Sequence, residues 1–577
     1  MATDAKPTYP ARGNQARPAP GPASRALAAL HSDALAATAL FVVCVALYWA
    51  TRTHYNTFDA VSYANQIGRV YEATHDPHWL FHPHHLLFNV VNYGLWRAAR
   101  ALGYGGGPLI VMQRLNAVLG AAGIAIFYLS LRRLMHRSHG LPALLAAGLA
   151  LSFGYWVCAT DGRVNMPSLA CLLLAFWLLC RTLEEGRVGR AAAAGALAGL
   201  GVLFHESAGL FVLVGLAAVM LADVSPLLLP IPARRLRTRM LLAYGGAWAA
   251  TVGLPYLLVG ALALHLRSPA EFRHWMTSYA ELGWWWNFDI PHNLRLDLYA
   301  FRHAAFAEPP GKQGTFWLAH RIPLGHLLLY LGALAGWLIA VYAFFAALPL
   351  LWRSHHRRIL IVCMIWILVY AAFFTVWSPG YFVFWVPILV PTGLLLALGM
   401  SHYRAGRSGR SVTCLVGCWI ALTAAVNWTN SIRPHRLPDA SPFQRVAADV
   451  KAHTVPGDVI LLAGAGSLAQ CEVDIPYFAG RDVISLHTLL TRARNDKAAA
   501  LAAARAQAAQ TWASGHAVYA LDELWHGAQA WNALAKKHPG VGPSDLTGWA
   551  VRAPTPAWTD KHGRPVWRLA PTSQAIP

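Results

Sequence analysis

Between residues 34 and 430 the chain carries thirteen carboxylates in a background of long apolar runs. An acid at the centre of a membrane helix costs roughly 2.5–3.5 kcal/mol on insertion scales, so an acid held close to the end of a span calls for a purpose. Glu184, Glu185 and Asp223 fall in Arg-rich connections. Asp59, Glu72, Asp76, Asp161, Glu206, Glu271, Glu281, Asp289, Asp297 and Glu308 all fall in connections on the opposite side. Asp59, in THYNTFDAVSYANQI, follows the first apolar run by about nine residues, and Asp161, in YWVCATDGRVNMP, closes the third. Both are therefore expected on one face at one depth, where a carboxylate can take a proton from a hydroxyl or bind a cation or substrate. A helix cap, or an ion pair such as Asp161 with Arg163, is the structural alternative for each.

Other polar groups collect on the same side. The first long loop holds His54, His75, His78, His82, His84 and His85. With Glu72 and Asp76 they include the ligand types of a divalent-metal site, but Pro77 and Pro83 interrupt any regular helical spacing. The sequence His205-Glu206-Ser207 lacks the second His of a zincin motif and reads as a polar turn or a substrate contact. Tyr63 is one of the aromatic residues flanking Asp59. Gly464, Gly466 and Ala469 match G-x-G-x-x-A after a predicted strand, nominally a dinucleotide fingerprint. Outside the cytoplasm, where nicotinamide cofactors are scarce, a tight strand-to-helix turn is the expected reading.

The elements that position these groups are mostly membrane spans. Of 577 residues 56% are apolar and 13% charged, against about 45–50% and about 25% in soluble domains, which excludes an ordinary soluble enzyme. Eleven spans are predicted, near 34–50, 109–131, 141–158, 166–182, 190–204, 207–222, 240–264, 323–351, 359–376, 381–400 and 411–428. The net charge of +21 is no nucleic-acid footprint. Sixteen Arg lie in five short loops of one side, against Arg163 alone in the short loops of the other. That asymmetry makes the Arg-rich side cytoplasmic. Residues 1–33, rich in Pro, Ala and Arg, read as a disordered cytoplasmic tail. Two long outside loops, 52–108 and 265–322, break the pattern. The first contains HHLLFNVVNYGLWRAARAL, expected to lie in the interface; the second contains Trp284, Trp285 and Trp286, suited to headgroup depth.

From about 431 the pattern becomes that of a soluble α/β domain, 431–577, expected outside the cytoplasm. Ser441 caps an amphipathic helix, and 458–463, 482–486 and 516–521 read as buried strands. Seven of the eight cysteines lie in or beside apolar runs, leaving Cys471 without a partner for a disulfide framework.

An Asp soon after span one, a long first loop with interfacial helices, the segment QRLNAVLGAAG opening span two, a second acid after span three and the late segment FFTVWSPGYFVFWVP together resemble the GT-C membrane glycosyltransferases. The likeness covers roughly residues 34–430. It is strongest to the lipid-linked-sugar branch with the aminoarabinose transferase of lipid A and the protein O-mannosyltransferases. Where those mannosyltransferases carry paired acids, Asp59 is followed by Ala60.

This resemblance implies a GT-C-like helical membrane module and transfer of one sugar from a polyprenyl-phosphate donor to an extracytoplasmic lipid, glycan or protein hydroxyl. Asp59 would be the general base, and Asp161 would orient the acceptor or support the developing sugar cation. Arg114, His84, His85 and Lys312 would receive the donor phosphate through charge-assisted hydrogen bonds, and His205, Glu206 and Tyr63 would contact substrate. Inversion is the simpler outcome, because no second carboxylate need form a covalent intermediate. No metal or other cofactor is assigned and no nucleic acid is a partner. A bacterial inner membrane with the active face to the periplasm is the expected setting. The rivals are an oligosaccharide ligase or polymerase with a diphosphate-linked donor, and a transporter or flippase whose outer acids bind cation or substrate.

Overall fold

Runs of Leu, Ala, Val and Ile form long helices because in lipid every backbone group must be satisfied within its own segment. The computed structural model describes residues 22–135, 140–222, 233–278, 280, 285–307, 324–404, 409–546, 550–552, 555–560 and 563–571. Among these, eight helices are long and apolar enough to cross a membrane: Ser32–Ala50, Pro108–Met135, Asn165–Glu185, Ala233–Ala263, Leu324–Arg353, Arg357–Val376, Phe382–His402 and Arg410–His435. A ninth crossing arises if Gly140–Ala150 and Phe153–Thr160, bent by 66°, count as one span. The remaining two predicted spans fall on the shorter apolar helices Val188–Phe204 and Glu206–Met220. At about 1.5 Å per residue the first of these reaches about 25 Å, less than the ~30 Å hydrocarbon core. Length therefore counts eight or nine crossings where about eleven were expected.

The first helix starts at Pro22, a favoured first helical residue, and runs to Ala50. It overlaps the tail expected over 1–33, so that expectation is corrected for 22–33; residues 1–21 lie outside the described residues. Asp33 of this helix pairs with Arg132 of Pro108–Met135 at 2.7 Å. At the other end Arg52 Nη1 donates to Gln113 Oε1 at 3.0 Å. Asp33 to Arg52 and Gln113 to Arg132 are each nineteen residues, about 28 Å of helix, close to the hydrocarbon thickness. The two polar clamps thus mark the two edges of the apolar layer.

The broken span shows how a helix interruption survives in lipid. Ser152 adopts an extended conformation, which frees backbone carbonyls, and three side chains take them up. Ser152 Oγ donates to Leu149 O (2.8 Å), Tyr48 Oη to Ala150 O (3.1 Å) and Asn427 Nδ2 to Leu151 O (2.7 Å). Asn427 also donates to Ala305 O at 3.0 Å and accepts from Ala307 N at 2.7 Å, joining the break to the end of helix Ile290–Ala305. The bend directs Phe153–Thr160 toward the first loop, where Trp156 Nε1 donates to Thr51 Oγ1 at 2.9 Å.

The loops are built rather than slack. Phe58–Asn65 continues through a π-helical turn, Gln66–Tyr71. The predicted interfacial stretch becomes helix Phe88–Ala101, burying Phe88, Asn92 and Trp96 at a spacing of four, together with Asn89. In the second loop Trp286 pairs with Trp377 in a β-bridge; Trp284, Glu281, Glu308 and Lys312 lie outside the described residues, as does Asp223.

The C-terminal region folds as an α/β sheet. Strands β1 (Val459–Leu462), β2 (Asp482–Ser485) and β3 (Val518–Leu521) are parallel, with β1 central. The chain then adds antiparallel β4 (Ala550–Arg552), β5 (Trp558–Thr559) and β6 (Pro565–Pro571), giving the order β2-β1-β3-β6-β4 with β5 on β6. The three predicted strands match β1 to β3 and Ser441 caps Pro442–His453 as expected. Gly464 and Gly466 take φ of 69° and 73°, the tight turn expected after β1. All eight cysteines are free thiols.

Replacing Asn427 with Ala should lower the thermal stability of the purified protein, since each buried backbone group left unmet costs about 1–3 kcal/mol. Thr429→Val should not, because the Thr429 hydroxyl only doubles up on Ala425 O and Val426 O within its own span. Equal melting temperatures for wild type and Asn427→Ala would remove this account of the break.

Candidate active site

A carboxylate without water must be given hydrogen bonds, and Asp161 has no solvent exposure. Its Oδ2 accepts from Thr57 N (3.2 Å) and Thr57 Oγ1 (2.5 Å), and its Oδ1 from Gly162 N (2.9 Å). Thr57 is the N-cap of Phe58–Asn65, so Asp161 fixes the start of the helix that carries Asp59. Asn116 holds the turn from behind, donating through Nδ2 to the carbonyls of Asp161 and Arg163 at 2.7 Å each. Burial pushes the Asp161 carboxyl up to about 6 against the pull of Arg163 and these hydrogen bonds. The expected contact of Asp161 with acceptor or sugar is corrected: the group is sealed beneath Asp59 and positions it.

Arg163 turns the other way. Its Nη2 donates to Asp59 Oδ2 at 3.0 Å and to the Tyr381 hydroxyl. Arg163 therefore pairs with Asp59 and not with Asp161, the structural alternative raised from sequence, because residues two apart across this turn present their side chains to different neighbours. Arg163 is 2% exposed, yet its Nε and Nη1 have no hydrogen-bond partner among the described residues. The Asp59 side chain is 43% exposed. Tyr381 follows Ser378-Pro379-Gly380, where Gly380 takes φ of 85°, a conformation that favours glycine.

The remaining candidates divide into two groups. Tyr63, His84, His85, His205 and Glu206 gather around Asp59. Tyr63 lies one turn along the helix and packs on His85 with ring centroids 4.5 Å apart. Burial, with the Asp59 charge behind it, holds the Tyr63 phenol well above its ordinary value. His82 stacks on His85 at 4.6 Å, and His84 Nδ1 lies 3.4 Å from Glu206 Oε1. His205 Nδ1 is 2.7 Å from Ser207 Oγ.

Burial lowers His82 and His205 to about 4 and His84 to about 2, and takes His85 well below its ordinary value. Burial thus favours the neutral form of these imidazoles in the site as it stands. Arg114 stands apart: it is exposed, about 200° around its helix from buried Asn116, and lies away from the Asp59 cluster. Lys312 lies outside the described residues. Among the described residues no group of three or more His, Cys, Asp or Glu side chains is arranged to hold a metal ion.

Arg163 and Tyr381 are the residues that sequence reasoning missed as site members. The signal available was the isolation of Arg163, the one Arg in the short loops of its side.

The C-terminal region reaches this site. Gln470 Nε2 donates to Asn56 O (2.8 Å) and to Asp474 Oδ1 (3.1 Å), and Gln444 Nε2 to His54 O (2.9 Å). Burial, and the nearby Asp161 charge, push the Asp474 carboxyl up to about 7 despite Gln470.

Residues 95–267 match the family described as dolichyl-phosphate-mannose-protein mannosyltransferase. Among solved structures, ArnT from Cupriavidus metallidurans in the apo state is similar over 92% of this chain and 97% of its own, with a TM-score of 0.52 and 14% identity. The Archaeoglobus fulgidus oligosaccharyltransferase in the apo form aligns over 94% of this chain and 75% of its own, with a TM-score of 0.48 and 13% identity. No curated protein matches the sequence. The likeness to ArnT shows a GT-C-like membrane fold, and the family match is confined to residues 95–267.

An acid whose folded-state value is raised stabilises the fold only while protonated. For Asp474 that contribution is complete below about pH 4 and lost as pH rises to about 7. Asp474→Asn keeps an acceptor for Gln470 and removes the charge. Its stability gain over wild type should grow from about pH 4 to about pH 7 and then level off, as thermal unfolding across that range would record. A gain independent of pH would contradict the assignment.

Proposed function

We propose that the chain moves a single sugar from a polyprenyl-phosphate donor to a hydroxyl of a lipid, glycan or protein acceptor, with Asp59 as general base. The observation that carries this reading is the pairing of a half-exposed carboxylate with a buried guanidinium that has donors to spare. Asp59 Oδ2 is engaged by Arg163, which leaves Oδ1 to accept the hydroxyl proton. The acceptor oxygen bonds to the anomeric carbon as the bond from that carbon to the phosphate oxygen breaks. The proton passes to Asp59, and the phosphate departs as an anion that needs no strong acid. Arg163, whose guanidinium already engages Asp59, supplies the fixed positive charge which that developing charge requires. Tyr63, the neutral His205 and Glu206 contact the sugar or acceptor. One carboxylate acting as base favours inversion at the anomeric carbon.

The arginine asymmetry supports Asp59 facing away from the cytoplasm, and the preference for Arg over Lys with Ala-rich usage supports a bacterial inner membrane, whose outer side is the periplasm. The C-terminal α/β region is then periplasmic, since it bonds to the loop that carries Asp59.

Purified Asp59→Asn protein, assayed with a polyprenyl-phosphate sugar, should lose about 10²- to 10⁴-fold in kcat with a small change in donor KM. Arg163→Gln should lose turnover and also weaken donor phosphate binding. Unchanged transfer by Asp59→Asn would remove the base assignment, and substrate movement across vesicles with no glycosylated product would favour a transporter.

A further inference from the structure

A second basic feature lies at the same membrane edge and on the far side of the second-span helix. A notch of about 340 Å³ opens between the end of Pro22–Ala50 and the start of Pro108–Met135. Tyr48, Trp49, Arg52, Ile110, Gln113 and Arg114 line it. Arg52 bonds only to uncharged groups, Gln113 Oε1 at 3.0 Å and His54 Nε2 at 2.9 Å. Arg114 is exposed and, among the described residues, neither arginine pairs with a carboxylate. Arg114 lies near enough to Arg52 to disfavour its charge, adding to the effect of burial. Two guanidiniums facing one notch without a counter-charge call for an anion.

Depth and surroundings select the anion. Arg52 and Gln113 form the clamp that marks one edge of the apolar layer, about 28 Å from the Asp33–Arg132 clamp, which is where lipid phosphates sit. Trp49 is 54% exposed and, with Ile110, supplies an apolar wall below the charges. The first-span helix is mostly unburied along its length, so the notch is open to lipid from the side.

We propose that this notch binds the phosphate of a membrane lipid, held by Arg52 and Arg114, at a site separate from the sugar-transfer centre. The lipid chain descends along the groove between the two helices, past Trp49. The shared chemistry is an anionic phosphate on a hydrocarbon chain, either the diester of a glycerophospholipid or the monoester of a polyprenyl phosphate. Gln113 connects the notch to the Asp59 loop, since its Nε2 donates to Thr53 O at 2.9 Å and Asn56 Oδ1 at 2.8 Å.

Native mass spectrometry of the full-length protein tests this, with phosphatidylglycerol, undecaprenyl phosphate and phosphate-free diacylglycerol offered in equal amounts. Arg114→Gln should reduce retention of the phosphate lipid by about tenfold, Arg114→Lys should reduce it less, and diacylglycerol should be unaffected. Loss of phosphatidylglycerol identifies the diester as the source and loss of undecaprenyl phosphate the monoester; either supports the notch. The same comparison in an Arg163→Gln background separates this site from the transfer centre. A further loss caused by Arg114→Gln there supports the notch whatever becomes of the proposed reaction. Retention that depends on Arg163 and is indifferent to Arg114 overturns it, and so does displacement of the lipid by inorganic phosphate at equal concentration.

Discussion

The candidate site depends on what happens to one carboxylate removed from water. Asp161 is fully buried, and its charge is tolerable only if its oxygens find donors. The donors are the N–H and hydroxyl of Thr57 and the N–H of Gly162. Satisfying Asp161 therefore specifies where helix Phe58–Asn65 begins, and with it where Asp59 stands. Asn116 adds the second constraint by gripping the carbonyls on both sides of Gly162. The turn then points Asp161 inward to its cap and Arg163 outward to Asp59. The exposed acid is positioned by the buried one.

The same logic governs the polar residues of the spans. Polar groups within a membrane segment are a functional hypothesis by default, yet most of those described here serve the backbone. Asn427, Tyr48 and Ser152 take up the carbonyls that the bend at residues 151–152 releases, and Tyr155 donates to Gly120 O at 2.7 Å. The break is needed because a straight helix through 140–160 would continue along its axis instead of turning toward Thr51 and Thr57. A kinked span, three side chains that satisfy it and a capped loop helix form one connected structural chain.

Much of this was legible in the sequence, for reasons that also explain the rest. Span positions follow from composition, and β1 to β3 from short apolar runs bounded by turn residues. Asp59 stood out because acids are scarce in the membrane part, and scarcity is a property of sequence. The antiparallel strands β4 and β5 are three and two residues long, too short to show a period of two. Arg163 pairs with Asp59 and not with its sequence neighbour Asp161, because the direction of each side chain is set by Thr57 and Asn116, distant in sequence. Arg114 was drawn to the site by lying beside polar residues, but Arg114 and Asn116 occupy opposite faces of one helix. The burial of His84 and His85, which favours their neutral forms, arises only when the loop closes over them and so leaves no mark on the sequence.

The C-terminal region is part of this scaffold and not an appendage to it. Between the first span and the Asp59 helix run seven residues, 51–57, whose backbone groups need partners. His54 N donates to His435 O at 2.7 Å, Gln444 donates to His54 O and Gln470 to Asn56 O. Gln113 takes Thr53 O from the membrane side. This short segment is therefore held between the two regions, and neither alone satisfies it. Asp474 sits close enough to Asp161 for the Asp161 charge to disfavour its own. A change in how the α/β region seats would be felt first at residues 54–57, one turn before the exposed carboxylate.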